Sequence, residues 1–130
     1  MQSSPKIGFV LETRFEVKPE HAIQFADLPP VLATPWLIWF LEHAALEMLE
    51  PFLGPGEISV GTKVDIEHLA AALVGDEVTC SARLIHHEGT EYTFQVEAKH
   101  QSDRLANGLH KRRIVETARL ARRLKRDQPA

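Results

Sequence analysis

The sequence predicts an α+β domain in which a single long helix lies along one face of an antiparallel sheet. Three observations carry this reading. Only one segment, from Thr34 to about Phe52, has the length and pattern of a long helix. One strand-like segment precedes it. Four more follow it, joined by short turns, as successive antiparallel strands are.

The first strand candidate is 7–17, where Ile7, Phe9, Leu11, Phe15 and Val17 alternate with more polar positions. Residues 18–33 contain Pro19, Pro29 and Pro30 without a clear period and read as a long loop of the kind that forms lids and binding segments. Thr34 before Pro35 reads as a cap and first-turn pair, since proline at the start of a helix loses no needed hydrogen bond. Gly54-Pro55-Gly56 ends the helix. An 18-residue helix rises ~27 Å, enough to run along a sheet.

The later strands fall at roughly 57–69, 76–88, 91–102 and 105–118. In the first, Thr62, Val64, Ile66 and His68 share one face and Lys63, Asp65 and Glu67 the other. Val78, Cys80, Ala82 and Leu84 line one face of the second, and Tyr92, Phe94, Val96 and Ala98 one face of the third. The fourth is less regular. A two-layer domain of this size leaves sheet edges and apolar helix surface to cover, which predicts self-association.

A chain of 130 residues with 44% hydrophobic and 25% charged content suits one soluble globular domain. The reading is a single domain over 1–130, with its core at about 7–118 and a basic tail at 119–130. The longest nearly uncharged apolar run, Val31 to Leu41, is far shorter than the ~20 residues of a bilayer crossing. MQSSPKIGFVLETRF lacks an extended apolar stretch behind a basic start, which argues against a secretory signal. One cysteine, Cys80, forms no intrachain disulfide and fits a reducing cytoplasm.

Charge is uneven along the chain. Residues 1–110 hold 7 basic and 16 acidic side chains, whereas 111–130 hold 8 basic and 2 acidic. Such an end could meet polyanions, but no aromatic residues interleave with it, which weakens a nucleic-acid role. For Arg119 onward the plainer reading is a solvated tail.

Glu42 is the most informative polar residue. His43, Glu47 and Glu50 form a polar stripe, but Glu42 lies about 100° away from it, among Ile38, Leu46 and Leu49. A carboxylate in such company is partnered or has a raised pKa, as at many active sites, or is a rim residue whose head reaches water. His68 ends the apolar face of its strand, where an imidazole acts as a base or donor, or is simply a satisfied core histidine. Thr34 is a helix cap or a hydroxyl at a helix start, where developing negative charge is favoured. Gly61, inside a strand, marks a bulge or a close backbone approach. The remaining histidines, His21, His43, His86, His87, His100 and His110, lack metal spacing, and no metal site is expected. No P-loop, GxGxxG or GxSxG motif occurs, and Cys80 reads as core.

The arrangement of these signals is more specific than any one of them. Phe25-Ala26-Asp27-Leu28-Pro29-Pro30-Val31-Leu32-Ala33-Thr34, then Glu42-His43-Ala44, then VGTKVDIEHLAAALVGDEVT, then Gly108-Leu109-His110-Lys111-Arg112, resemble in order the fluoroacetyl-CoA thioesterase-like branch of the hotdog superfamily. The resemblance covers about residues 7–118. His68-Leu69-Ala70 with Val74-Gly75-Asp76-Glu77-Val78 is widespread among hotdog thioesterases, whereas the threonine–glutamate–histidine set is the more specific mark.

That resemblance implies a five-stranded sheet wrapped around the helix, a homodimer joined edge to edge, and sites at the dimer interface. It implies that Thr34, Glu42 and His68 correspond to the catalytic triad and that Gly61 lies near the thioester. Arg112 would fall on the coenzyme A side. Phe25 matches an aromatic lid position, but Leu28 stands where the branch has a second lid aromatic, which argues against carrying over fluoroacetyl selectivity. The expected activity is hydrolysis of a small or medium acyl-CoA, with Trp36, Trp39, Phe40 and Phe25 crowding the pocket. Coenzyme A enters as part of the substrate and no other cofactor is expected. A dimer of dimers stays open, and neither nucleic acid nor membrane is an expected partner. Within one straight helix, eight residues separate Thr34 from Glu42 by ~12 Å, so the cluster either combines two subunits or folds Thr34 back in a turn. The alternatives are a non-catalytic acyl-CoA-binding or small-ligand-binding dimer, and a hotdog dehydratase, for which no Asp-x-x-x-x-His motif is present at the helix region.

Overall fold

The computed structural model describes residues 3–126. Five strands form one antiparallel sheet: β1 (Val10–Glu16), β4 (Glu57–His68), β5 (Glu77–Glu88), β6 (Glu91–His100) and β7 (Asp103–Glu116). Their spatial order is β1-β5-β6-β7-β4. The helix α1 (Thr34–Leu49) lies in the curve of the sheet and meets all five strands. This is the sheet-around-helix layout that the sequence predicts.

The core explains why these segments take these forms. Leu37, Leu41, Ala44, Ala45, Met48 and Leu49 are buried on α1, at spacings that make one helical stripe. Facing them are Val78, Cys80, Ala82 and Leu84 of β5 and Tyr92, Phe94, Val96 and Ala98 of β6, every one buried. Strict alternation there gives strands, since side chains two apart share a face. The adjacent Ala44 and Ala45 put only methyl groups on the buried stripe at mid-helix.

The pattern of β7 has a physical reason. Its buried residues include Ala106, Ile114, His110 and Arg112, so two of its core-facing positions are polar and break the apolar alternation. Gly108 lies between Ala106 and His110 on this face, where a Cβ would collide with the carbonyl oxygen of Asp65 on β4.

Three segments differ from expectation. Residues 18–33 are not an irregular loop: a 3-10 turn (Pro19–His21) leads into a small hairpin, β2 (Ala22–Ile23) with β3 (Val31–Leu32). The Leu32 amide donates to the Ala72 carbonyl at 2.8 Å, anchoring it. Two-residue strands are too short to show alternation. The expected solvated tail is helical over α2 (Thr117–Arg126), while 127–130 lie outside the described residues. Ala, Leu, Arg and Lys favour helix intrinsically, and Ala121 and Leu124 with Leu120 fall at helical spacing among the basic residues, a period that the count of charges obscured. The first strand begins at Val10, because a turn through Gly8 at φ +93° precedes it. Among the described residues, no helix is long and apolar enough to cross a membrane.

Candidate active site

Thr34 is the first helical residue of α1, and Ala33, in extended conformation, occupies the cap position. The cap-and-proline pair therefore shifts by one residue, and the Thr34 hydroxyl caps no backbone amide. Instead its Oγ1 lies 2.7 Å from Nδ1 of His68, the last residue of β4. A helix start and a strand end thus bring a hydroxyl and an imidazole into hydrogen-bond contact. No fold-back turn carries Thr34, so its ~12 Å helical separation from Glu42 stands.

The pair sits in an open cavity of about 460 Å³ whose walls include Ile23, Phe25, Val31, Leu69 and Ala70. Phe25 and Leu28 occupy the two ends of one turn, closed by the Leu28 amide donating to the Phe25 carbonyl at 3.0 Å. Ala26 within it has φ +50°, in the left-handed region. Phe25 is 57% exposed and Leu28 62% exposed, yet only Phe25 lines the cavity. Trp36 and Trp39 do not crowd it: with Pro35 they edge a separate small depression, and Phe40 stacks on Phe15 at 3.6 Å between ring centres. Helical periodicity turns these aromatics onto a different face from Thr34.

A second cluster forms midway along α1. Glu42 is half-buried there, opposite Gly61 on β4 and residues 110 and 112 of β7. A Cβ at position 61 would lie 3.2 Å from Glu42 Oε1, 3.2 Å from His110 Cε1 and 3.5 Å from Arg112 Nη1. The bulge reading of Gly61 holds, since the β4–β7 register shifts between Gly61 and Lys63, and the missing side chain leaves room where three polar groups converge.

Arg112, only 5% exposed, is tied down on one edge. Its Nε donates to Ser59 Oγ at 2.9 Å and its Nη2 to the Ser59 carbonyl at 2.8 Å. Burial lowers its affinity for the proton, while Glu42 and Glu50 oppose that shift. His110 is buried beside it, with Nδ1 2.8 Å from the Lys63 carbonyl and Nε2 3.2 Å from Arg112 Nη1. Burial holds His110 below the ordinary imidazole range, and the Arg112 charge adds to this against the opposing Lys63 hydrogen bond and Glu42 charge. A carbonyl can only accept, so Nδ1 donates and the neutral ring leaves Nε2 as acceptor for Arg112.

Within one chain, therefore, Thr34, His68 and Phe25 assemble at one end of α1, and Glu42, Gly61 and Arg112 assemble further along it. The imidazole sharing Glu42's corner is His110, which the sequence reading set aside as a metal ligand and quoted in the last-strand motif without giving it a role in the site. The signal that could have found it is register: His110 is two residues from Arg112, four from Ala106 and four from Ile114 on one strand face. A larger cleft of about 770 Å³ runs beneath α2 past Glu57, Glu91, Arg113 and Arg119, but none of the expected site residues line it. Size alone does not mark it as the chemical centre.

Comparison with known proteins identifies the family. Residues 17–118 match the family described as fluoroacetyl-CoA-specific thioesterase. The fluoroacetyl-CoA thioesterase of Streptantibioticus cattleyicolor is 28% identical over 138 residues, covering 100% of this chain and 99% of that protein. A solved structure of the fluoroacetyl-CoA thioesterase superposes with a TM-score of 0.91 at 27% identity, covering 98% of this chain and 100% of that one. A hypothetical Thermus thermophilus protein of the thioesterase superfamily gives a TM-score of 0.86 at 33% identity, covering 97% and 96% of the two chains.

Proposed function

The chain belongs to the fluoroacetyl-CoA-specific thioesterase family and is a thioester hydrolase of hotdog fold, and from that premise we propose that it hydrolyses small or medium apolar acyl-CoA thioesters, at sites built by two subunits. The observation carrying this reading is a half-buried carboxylate, Glu42, converging with a buried guanidinium over the bare backbone of Gly61. A carboxylate and a cation facing one small gap suit a reaction that needs a base and stabilises developing negative charge.

In the proposed mechanism Glu42 takes a proton from water while the water oxygen attacks the thioester carbonyl carbon. Charge on the carbonyl oxygen is met by backbone N–H groups near Gly61 or at the start of α1. Collapse breaks the C–S bond, and the departing sulfur of coenzyme A receives the proton that Glu42 took from water, which restores the carboxylate. Thr34 orients the acyl carbonyl and His68, hydrogen-bonded to it, assists proton transfer. Because Thr34–His68 and Glu42 lie apart in one chain, the complete set draws His68 and Thr34 from one subunit and Glu42 from its partner. The apolar walls at Ile23, Val31 and Leu69 support an uncharged acyl group. Leu28, in place of a second lid aromatic, supports a substrate range not centred on the fluoroacetyl group.

The test is release of free thiol from a panel of acyl-CoA esters. Glu42→Gln removes the base while keeping size, and His68→Ala removes the imidazole. Each is expected to lower kcat by about 10²-fold or more, with the unfolding midpoint near that of the unaltered protein. Near-normal turnover in either variant refutes the assignment. Enrichment of Glu42 with heavy oxygen during turnover in labelled water would convert its role from base to nucleophile.

A further inference from the structure

We infer that His110 is a positioning residue, whose Nε2 lone pair fixes the direction in which Arg112 presents its Nη1 group to the gap at Gly61. For its catalytic consequence this rests on the proposed thioesterase site, but the geometry stands apart from it. Ser59 holds two donors of Arg112, Nε and Nη2, and so fixes one edge of the guanidinium. Two contacts on one edge leave the plane free to tilt about that edge. The third contact, Nη1 to His110 Nε2 at 3.2 Å, lies at the far corner and removes this freedom.

That role needs an acceptor, and the surroundings of His110 supply one. Lys63 offers only its carbonyl to the ring, at 2.8 Å, which commits the ring hydrogen to Nδ1. The other Nη1 hydrogen is then left for whatever occupies the space by Gly61, whose absent Cβ would stand 3.5 Å from Nη1. The groups that set this balance come from three elements: Glu42 of α1, the Lys63 carbonyl of β4 and Arg112 of β7. The ring is 1% exposed, which shields Nε2 from bulk water.

Two substitutions separate the two ring nitrogens. His110→Gln puts an acceptor near the Nε2 position, and His110→Asn puts a donor near the Nδ1 position. Thiol release with each, alone and combined with Arg112→Ala, gives a double-mutant cycle. His110→Asn is expected to lower kcat/KM by about tenfold to 10²-fold, as small misplacements of a positioned group do. His110→Gln should recover most of that loss. Adding His110→Asn to Arg112→Ala should cost little more than Arg112→Ala alone. Additive losses, or a Gln variant no better than the Asn variant, would overturn the proposal, because a purely packing role predicts both.

Nitrogen NMR of the labelled imidazole needs no turnover. It is expected to show the neutral Nδ1–H form, with the Nε2 resonance moving on Arg112→Ala. An Nε2–H form would overturn the assignment even in an active enzyme. Absence of thiol release by the unaltered protein would instead defeat the thioesterase reading and leave this arm decisive for His110. Should the Asn variant not fold, the NMR arm and the His110→Gln/Arg112→Ala cycle carry the test.

Discussion

Gly61 sits where a Cβ would come within 3.2 Å of both Glu42 Oε1 and His110 Cε1. That distance is too short for ordinary packing, so Gly61→Ala must displace the carboxylate, the ring or the strand. Its φ lies outside the left-handed region, so the fold should tolerate the methyl while the corner does not. Thiol-release kinetics should show a loss in kcat/KM of about tenfold or more, with unfolding little changed. His110 has a second, independent readout. Its folded-state pKa is depressed, so it contributes stability that is present above the unfolded imidazole value, 6.5, and is lost as pH falls through the lower folded one. Urea unfolding between pH 7 and pH 5 should therefore show a stability decline that His110→Gln reduces; an unchanged slope would mean that the ring titrates alike in the folded and unfolded chain.

Elements that bury one clean face were legible, and those that do not were not. On β5 and β6 every second residue from Val78 to Leu84 and from Tyr92 to Ala98 is apolar and buried, Thr93 being the one residue of the opposite face that is also buried, and α1 carries an uninterrupted buried stripe. The mutual fit of these elements at Ala44 and Ala45 is testable. Ala45→Leu would force extra methylenes into a closed interface and should cost about 1–3 kcal/mol in urea unfolding. β7 read as irregular because His110 and Arg112 replace apolar residues on its inner face, and the same substitution makes it chemically interesting. β2 and β3 were invisible since two residues hold no period, and α2 because its short apolar stripe at Leu120, Ala121 and Leu124 lies in a run read for its basic charge. Of the candidate residues, Glu42, Gly61 and Arg112 do converge in space, as do Thr34 and His68. Helix length alone sets Thr34 and Glu42 ~12 Å apart, and spacing along β7 puts His110 on the face of Arg112, but which residue of β4 each group meets depends on the strand register and its shift after Gly61, which no local pattern shows.

At the scale of the molecule, β4 is both the carrier of Gly61 and His68 and one of the two open edges of the sheet. Its 12 residues present unpaired backbone groups on the outer side, and Val64 is 40% exposed. Such an edge invites pairing with a second copy. Mixing Glu42→Gln with His68→Ala subunits tests whether the two groups act across that boundary. Each variant alone is inactive, but after random reassortment about one quarter of normal activity should return, since mixed dimers carry one intact site. No recovery would mean that each site lies within one chain.

The ~12 Å of helix between Thr34 and Glu42 has a further consequence. On the proposed two-subunit reading the centre obeys mass action, so activity per milligram is expected to depend on concentration rather than to be a constant of the polypeptide. On dilution, solitary copies would keep their shape and lose their chemistry, and a scarce protein would be a silent one.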